Sequence, residues 1–220
     1  MAFGLGAIQS PPDEHDFQLA LDATKSVPPT YTCPHRGAIL DQGNTPMCVA
    51  YSGAGEQASF DLSDLGHNYK WDFSYFFQRI GGGPNGAVIR NAFKVRASYG
   101  YPLLPPHSGN SAASHKIAAY YAVPKVIDLI KAALVQYGVL VAGLPWYNSW
   151  FTPHSDGKLP PADYQVGGHA IQITGYDAYG PWFDNTWGTA YGVHGRIQMS
   201  WAQFMACVWE IWKAVDQKTG

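Results

Sequence analysis

The sequence predicts an α+β fold of two lobes, and three observations carry that reading. Helix-period apolar stripes fall mainly in the first half of the 220 residues, and period-two patterns fall mainly in the second. The composition then supplies interior and loops together: 46% hydrophobic, 15% aromatic and only 14% charged residues, with 24 Gly and 16 Pro. That length suits one large domain or two small lobes.

Residues 1 to 41 read as an extended arm lying on the surface, because Pro11-Pro12 and Pro28-Pro29 are incompatible with helix interiors. The run VAYSGAGEQASF after Cys48 has no Pro and many small residues, which fits a buried helix that other backbones approach closely. A second helix fits 86 to 99, where Val88, Ala92, Val95 and Tyr99 form a stripe ahead of Gly100. A third fits 124 to 137, with Pro124 in its first turn, a stripe of Ile127, Ile130 and Leu134, and Gly138 as terminator. The pattern then changes: Val139 to Ala142 reads as a strand buried on both faces, and His169 to Tyr176 alternates. Trp182 to Trp187 and Arg196 to Ser200 follow as short strands, while 101 to 116 and 145 to 168 read as long loops. The expected organisation is an arm over 1–41, a mainly helical lobe over 42–115 and a mainly β lobe over 116–220.

The 14 basic and 16 acidic residues give a net charge of −2, which argues against nucleic acid or an anionic membrane as the main partner. The best apolar run, Val135 to Leu144, is too short and too interrupted to span a bilayer, and residues 1 to 12 lack the basic region of a signal peptide. A cytoplasmic or particle-associated location is expected over classical secretion, with a place in a larger assembly left open. Scattered histidines (His35, His107, His115, His154 and His194) show no metal-ligand spacing, and Gly81 to Gly86 lacks the Lys-Ser/Thr of a phosphate loop. No metal or cofactor is implied. The cluster Trp146, Trp150 and Phe151 reads as a substrate lip, core packing or a subunit contact.

Three cysteines, Cys33, Cys48 and Cys207, leave at least one thiol without an intrachain partner. Cys33 and Cys207 are able to pair, stay reduced or cross-link chains. Cys48 opens the small-residue helix, where unpaired N–H groups favour a thiolate and so a lowered thiol pKa. Gln42, six residues earlier, can donate its amide to an oxyanion, with the Cys48 N–H as second donor. His169 begins a strand, and Asn185 stands sixteen residues later, where an adjacent strand brings its side chain to one imidazole nitrogen. Taken singly, Cys48 also reads as an inert core residue, His169 as a strand residue and Asn185 as a turn residue. Together they have the composition of a thiol, base and orienting amide for acyl transfer.

At these residues the sequence resembles the papain-like cysteine peptidases. Gln42-Gly43, four residues, Cys48 and, one residue on, Ala50-Tyr51-Ser52 are similar to that family's Q-G-x-C-G-S-C-W-A-[FY]-S. GGHAIQITGYD (167 to 177) is similar to its histidine strand, and FDNTWGTAYGVHGRIQMS (183 to 200) to its N-S-W-G-x-x-W-G segment. GAVIRNAFKVRASYG (86 to 100) resembles the substrate-cleft glycine and the helix after it. The resemblance covers roughly residues 35 to 205. It implies a helical lobe and a β-barrel-like lobe with the active site in the cleft between them. It implies Cys48 as nucleophile, His169 as acid/base, Asn185 as its orienter and Gln42 as oxyanion donor. Gly86, Gly168 and Trp187 would line the substrate cleft, with Trp187 also shielding the Asn185–His169 hydrogen bond and Gly86 pairing with extended substrate backbone. The implied reaction is cleavage of peptide bonds through an acyl-enzyme on Cys48.

Departures accompany the match. Thr45 stands where the family has a disulfide cysteine, Met47 where it has Ser, and Val49 where it has Trp; Gly168 replaces the polar residue before the histidine, and Tyr191 the second Trp of the asparagine segment. The arm before Gln42 also lacks a long helical inhibitory segment, which implies a chain made without a removable inhibitor. Two rival readings keep the fold: an inactive or weakly active binding or structural module, and an amidase acting on cell-wall peptides.

Overall fold

The computed structural model describes residues 3–66, 69–104 and 115–217. Helices α1 (Cys48–Leu65), α2 (Phe73–Arg79) and α3 (Ile89–Ser98) precede most of the sheet, and α4 (Ile127–Tyr137) and α5 (Trp201–Cys207) lie within its half of the chain. The strands are β1 (Ala7–Ile8), β2 (Tyr31–Thr32), β3 (Ala87–Val88), β4 (Ile117–Ala122), β5 (Leu140–Tyr147), β6 (Gln165–Tyr176), β7 (Pro181–Asp184), β8 (Arg196–Gln198) and β9 (Glu210–Asp216). Seven of them form one antiparallel sheet in the order β4-β9-β5-β6-β7-β8, with β2 added on β6, while β1 and β3 pair in parallel apart from it. This is the α+β, two-lobe architecture.

The sheet is buried on both faces because two cores meet on it. Ile130 and Leu134 of α4 and Phe204 of α5 pack with Leu140, Leu144, Ile171, Ile173 and Phe183 in one. Ala50 and Ala54 of α1 and Ile89 and Phe93 of α3 pack with Val141, Ala170 and Trp212 in the other. Alternation along β6 divides its residues between the two, with Ile171 and Ile173 in the first core and Ala170 in the second, so the strand is buried on both faces from His169 to Tyr176.

Helix α1 follows its sequence: Gly55 faces Gln172, where a Cβ would come within 2.0 Å of the amide nitrogen, and Gly66 ends the helix at φ 67°. Gly138 ends α4 as expected, but α4 starts at Ile127 rather than around Pro124. The Val126 N–H bonds to Pro124 O in a tight turn, and Val126 is extended. Strand β5 runs beyond its expected end at Ala142 and through Pro145. Its pairing with β9 stops at Gly143, so the missing Pro145 N–H costs no ladder bond on that side. The strand read over 182 to 187 ends at Asp184, and that over 196 to 200 at Gln198. Most of the predicted 101–116 loop lies outside the described residues. Trp146 and Trp150 are fully buried core residues, and the cysteines Cys33, Cys48 and Cys207 are all free. Among the described residues no helix is long and apolar enough to cross a membrane.

Candidate active site

Cys48 is the first residue of α1, and the residue before it, Met47, offers no side-chain cap. The first-turn N–H groups are therefore not consumed by capping, and the backbone of Ala170, Val49, Gly6 and Cys48 around the thiol favours its ionised form. One turn on, Ser52 Oγ donates to Ala170 O at 2.6 Å, which pins α1 to the strand position next to His169.

The imidazole is held from three directions. His169 Nε2 and Asn185 Oδ1 are 2.8 Å apart, and Asn185 Oδ1 also accepts the Thr186 backbone N–H at 2.7 Å. A backbone N–H can only donate, so the shared amide atom is the oxygen and Nε2 must carry the proton. Nδ1 then bears the lone pair; it is buried without a hydrogen-bond partner among the described residues. Trp187 stacks on the ring at 4.5 Å and 26°, and Trp146 meets it edge-on at 4.8 Å. These indoles exclude water from the His169–Asn185 bond. Burial drives the imidazole pKa down to about 4, against the opposing effect of the Asn185 bond.

Gln42 belongs to a loop stitched to the Asn185 segment: its N–H donates to Thr186 O at 2.8 Å, and its Oε1 accepts from the Thr186 hydroxyl. Its Nε2 donates to Thr45 O at 2.7 Å and to Gly4 O at 3.2 Å. The amide nitrogen thus already holds a carbonyl oxygen, the kind of group an oxyanion donor receives.

That carbonyl comes from the N-terminal arm, which the sequence places on the surface. Residues Phe3 to Ala7 instead thread between the segments that carry Cys48 and His169. Gly4 O also accepts from Trp187 Nε1 at 3.1 Å, Gly6 N–H donates to Gly168 O at 3.0 Å, and Ala87 N–H donates to Gly6 O at 2.8 Å. Gly86, at φ 102°, needs its missing side chain for this: a Cβ there would lie 1.7 Å from Gly6 O. At Gly168 a Cβ would lie 2.1 Å from Ala7 O. Gln42, Gly86, Gly168 and Trp187 therefore converge on one extended backbone. The arm was missed as part of this site because Gly4-Leu5-Gly6 has no charge or catalytic residue type to mark it.

With the arm in place, Cys48 and His169 are both completely shielded from solvent. The expected lowering of the thiol pKa does not occur here; burial pushes the Cys48 thiol up to about 12, outweighing the backbone hydrogen bonds that favour the thiolate. Phe3 extends the shield by stacking on Trp187 at 4.6 Å. Beyond it lies an open pocket of about 620 Å³ lined by Phe3, Asp41, Gly43, Asn44, Trp187, Gly188, Thr189 and Ala190. Trp146 and Trp150 form the wall behind His169 and not an exposed lip. Among the described residues no group of three or more His, Cys, Asp or Glu is arranged to hold a metal ion.

The chain has the fold of the papain-like cysteine proteases. It superposes on xylellain, a cysteine protease from Xylella fastidiosa, with a TM-score of 0.88 at 22% identity over 98% of this chain and 97% of that one. It matches a procathepsin B of Trypanosoma congolense with a TM-score of 0.77 at 16% identity, covering 98% of this chain and 87% of that chain. Bromelain protease from Ananas comosus, in complex with the E64 inhibitor, gives 0.70 at 15% identity, over 87% of this chain and all of the other. No family model and no curated protein sequence matches the chain.

Proposed function

We propose that the chain is a cysteine peptidase with Cys48 as nucleophile. The observation that carries this reading is the neutral His169 imidazole, fixed by Asn185 so that its lone pair sits on Nδ1, on the strand to which the Cys48 helix is pinned. In the reaction, Nδ1 takes the Cys48 proton and Sγ attacks the substrate carbonyl carbon. Gln42 Nε2 and the Cys48 N–H receive the oxyanion. His169 returns its proton to the leaving amine, and water, deprotonated by the same Nδ1, releases the acid and regenerates the thiol. The shielding of the Asn185–His169 pair by Trp187 favours this reading over an inert module, because a merely structural histidine needs no unpaired Nδ1.

The fold neighbours are proteases, which supports peptide substrates. The test is hydrolysis of a peptide library and of purified cell wall by the full chain and by Cys48→Ala, with a separate sample of each reacted with a peptidyl epoxide. Cys48-dependent cleavage of the library is expected, with epoxide mass on Cys48. Hydrolysis that survives Cys48→Ala sinks the assignment. Cleavage confined to cell wall replaces peptidase by amidase.

A further inference from the structure

We propose that Arg36 and Arg196 form a binding site for a small oxyanion, a phosphate or carboxylate group, and that filling it is felt at the His169–Asn185 bond. Three chain segments build the site. Arg36 follows β2, and the stretch between them is fixed to β6 by the Cys33 N–H, which donates to Thr174 O at 2.8 Å. Arg196 opens β8 and stands opposite Asp184 of β7 in the strand register. Together with Pro34, Gly37 and Ile39, these residues line a cavity of about 220 Å³. That is several times the roughly 30 Å³ share of one water molecule in the liquid, and so enough for an ion of a few heavy atoms.

The charges around this cavity do not balance. Asp184 is the single acid among the lining residues, and it faces two guanidinium groups. Its Oδ1 accepts from Arg196 Nε at 2.9 Å and from Thr174 Oγ1 at 2.9 Å. A carboxylate oxygen has two lone pairs, and these donors use both. Arg36 Nη1 is left 3.7 Å from the same oxygen, beyond hydrogen-bond distance, and among the described residues the Arg36 guanidinium makes no hydrogen bond. Its side chain is nevertheless only 30% exposed. A guanidinium is a planar fork that grips two oxygens of one phosphate or carboxylate at once, so the group Arg36 lacks is an oxyanion. Two cations sharing so small a space repel each other, and a bound oxyanion removes that cost.

The site is one step from the candidate active site. Asp184 immediately precedes Asn185, and Gly195 immediately precedes Arg196. The Asn185 N–H donates to Gly195 O at 2.9 Å, so the bond that seats Asn185 lies next to the Asp184–Arg196 pair. Asn185 Oδ1 in turn meets His169 Nε2 at 2.8 Å. An oxyanion gripped by both arginines competes with Asp184 for the Arg196 guanidinium. The resulting change in the Asp184–Arg196 pair is passed through a single backbone bond to the amide that holds the imidazole.

The experiment titrates the full chain at neutral pH with inorganic phosphate and, separately, with acetate, ionic strength being held constant with chloride. Nitrogen–proton NMR follows the arginine Nε–H groups and the His169 Nε2–H. Saturable shifts of the Arg36 and Arg196 signals are expected, with the His169 signal moving along the same curve. Saturation by phosphate alone assigns a phosphate ligand, and saturation by acetate a carboxylate. Arg36→Gln removes a group that makes no hydrogen bond within the chain, so the fold should stand while the anion binds about tenfold or more weakly. Arg36→Lys keeps the charge without the fork and should lose several-fold. Equal affinity in the parent and both variants overturns the site, and so do shifts that grow in proportion to either anion without saturating. Saturation at the arginines with an unmoved His169 signal overturns the coupling. None of these signals needs turnover, so the site stands or falls apart from the peptidase reading.

Discussion

The two halves of the proposed catalytic pair are anchored by opposite physics. His169 is held by uncharged contacts, an amide and two indoles, all from the β lobe. The helix bearing Cys48 is instead moored by buried charge. Glu56, two turns along α1, meets Arg96 at 2.6 Å and Lys213 at 3.2 Å and accepts the Ala214 N–H at 3.0 Å, all in the dry interior. Burial alone would raise its carboxyl pKa, but Lys213 and Arg96 prevail and hold it low, so the group stays ionised. The difference teaches that the proposed base is positioned by contacts within its own lobe, whereas the helix bearing the thiol depends on an ionic mooring that joins it to α3 and β9.

The largest effect falls on the nucleophile. Cys48→Ala removes the proposed nucleophilic sulfur, so peptide hydrolysis should vanish in a steady-state assay while the thermal unfolding midpoint moves little. Retained hydrolysis breaks the comparison outright, because the two halves then do not form a pair.

The mooring comes next. Glu56→Ala strands two buried cations, Arg96 and Lys213, and should cost about 3–5 kcal/mol in denaturant unfolding. Glu56→Gln keeps the volume and the Ala214 hydrogen bond but loses the charge, so a smaller loss is expected. Equal losses would mean that packing, and not charge, moors α1.

A pH experiment probes the other half. The folded His169 pKa lies near 4, below its ordinary 6.5, so between those values the unfolded chain binds the proton and the native chain does not. Stability should be intact above about pH 6.5 and fall as pH drops towards 4, by on the order of 3 kcal/mol for a shift of this size. His169→Gln should lack that part of the slope. If the wild-type slope persists in that variant, another group carries it.

How much of this was legible in the sequence follows the same division. Gln42, Cys48, His169 and Asn185 stand out as candidates because catalytic residue types at characteristic spacing leave a local record, and α3, α4 and β6 because periodicity does, while α1 is marked by a run of small residues without Pro. Strand β9 was missed because Lys213 interrupts its apolar run, and only the tertiary partner Glu56 makes a buried lysine tolerable there. Helix α2 was missed because its seven residues are too few to show a period. The N-terminal arm was misplaced for a different reason. Glycine and proline announce extended backbone but do not say what that backbone lies against, and the complementary glycines, Gly86 and Gly168, stand about eighty and one hundred and sixty residues away in sequence.

The smallest expected effect isolates the orienting bond. Asn185→Ala removes the acceptor that fixes Nε2–H, leaving the imidazole free to choose either tautomer and to tilt beneath Trp187. Only one tautomer leaves a lone pair on Nδ1, the nitrogen that the proposed reaction uses as its base. Turnover should fall by about a hundredfold with KM nearly unchanged, since general acid–base catalysis is lost and ground-state binding is not. Asn185→Gln restores an amide but places it one methylene too far, and should recover little. A KM effect in place of a kcat effect would move Asn185 from orienting the base to shaping the cleft, and would leave the β lobe no better prepared than the helical one.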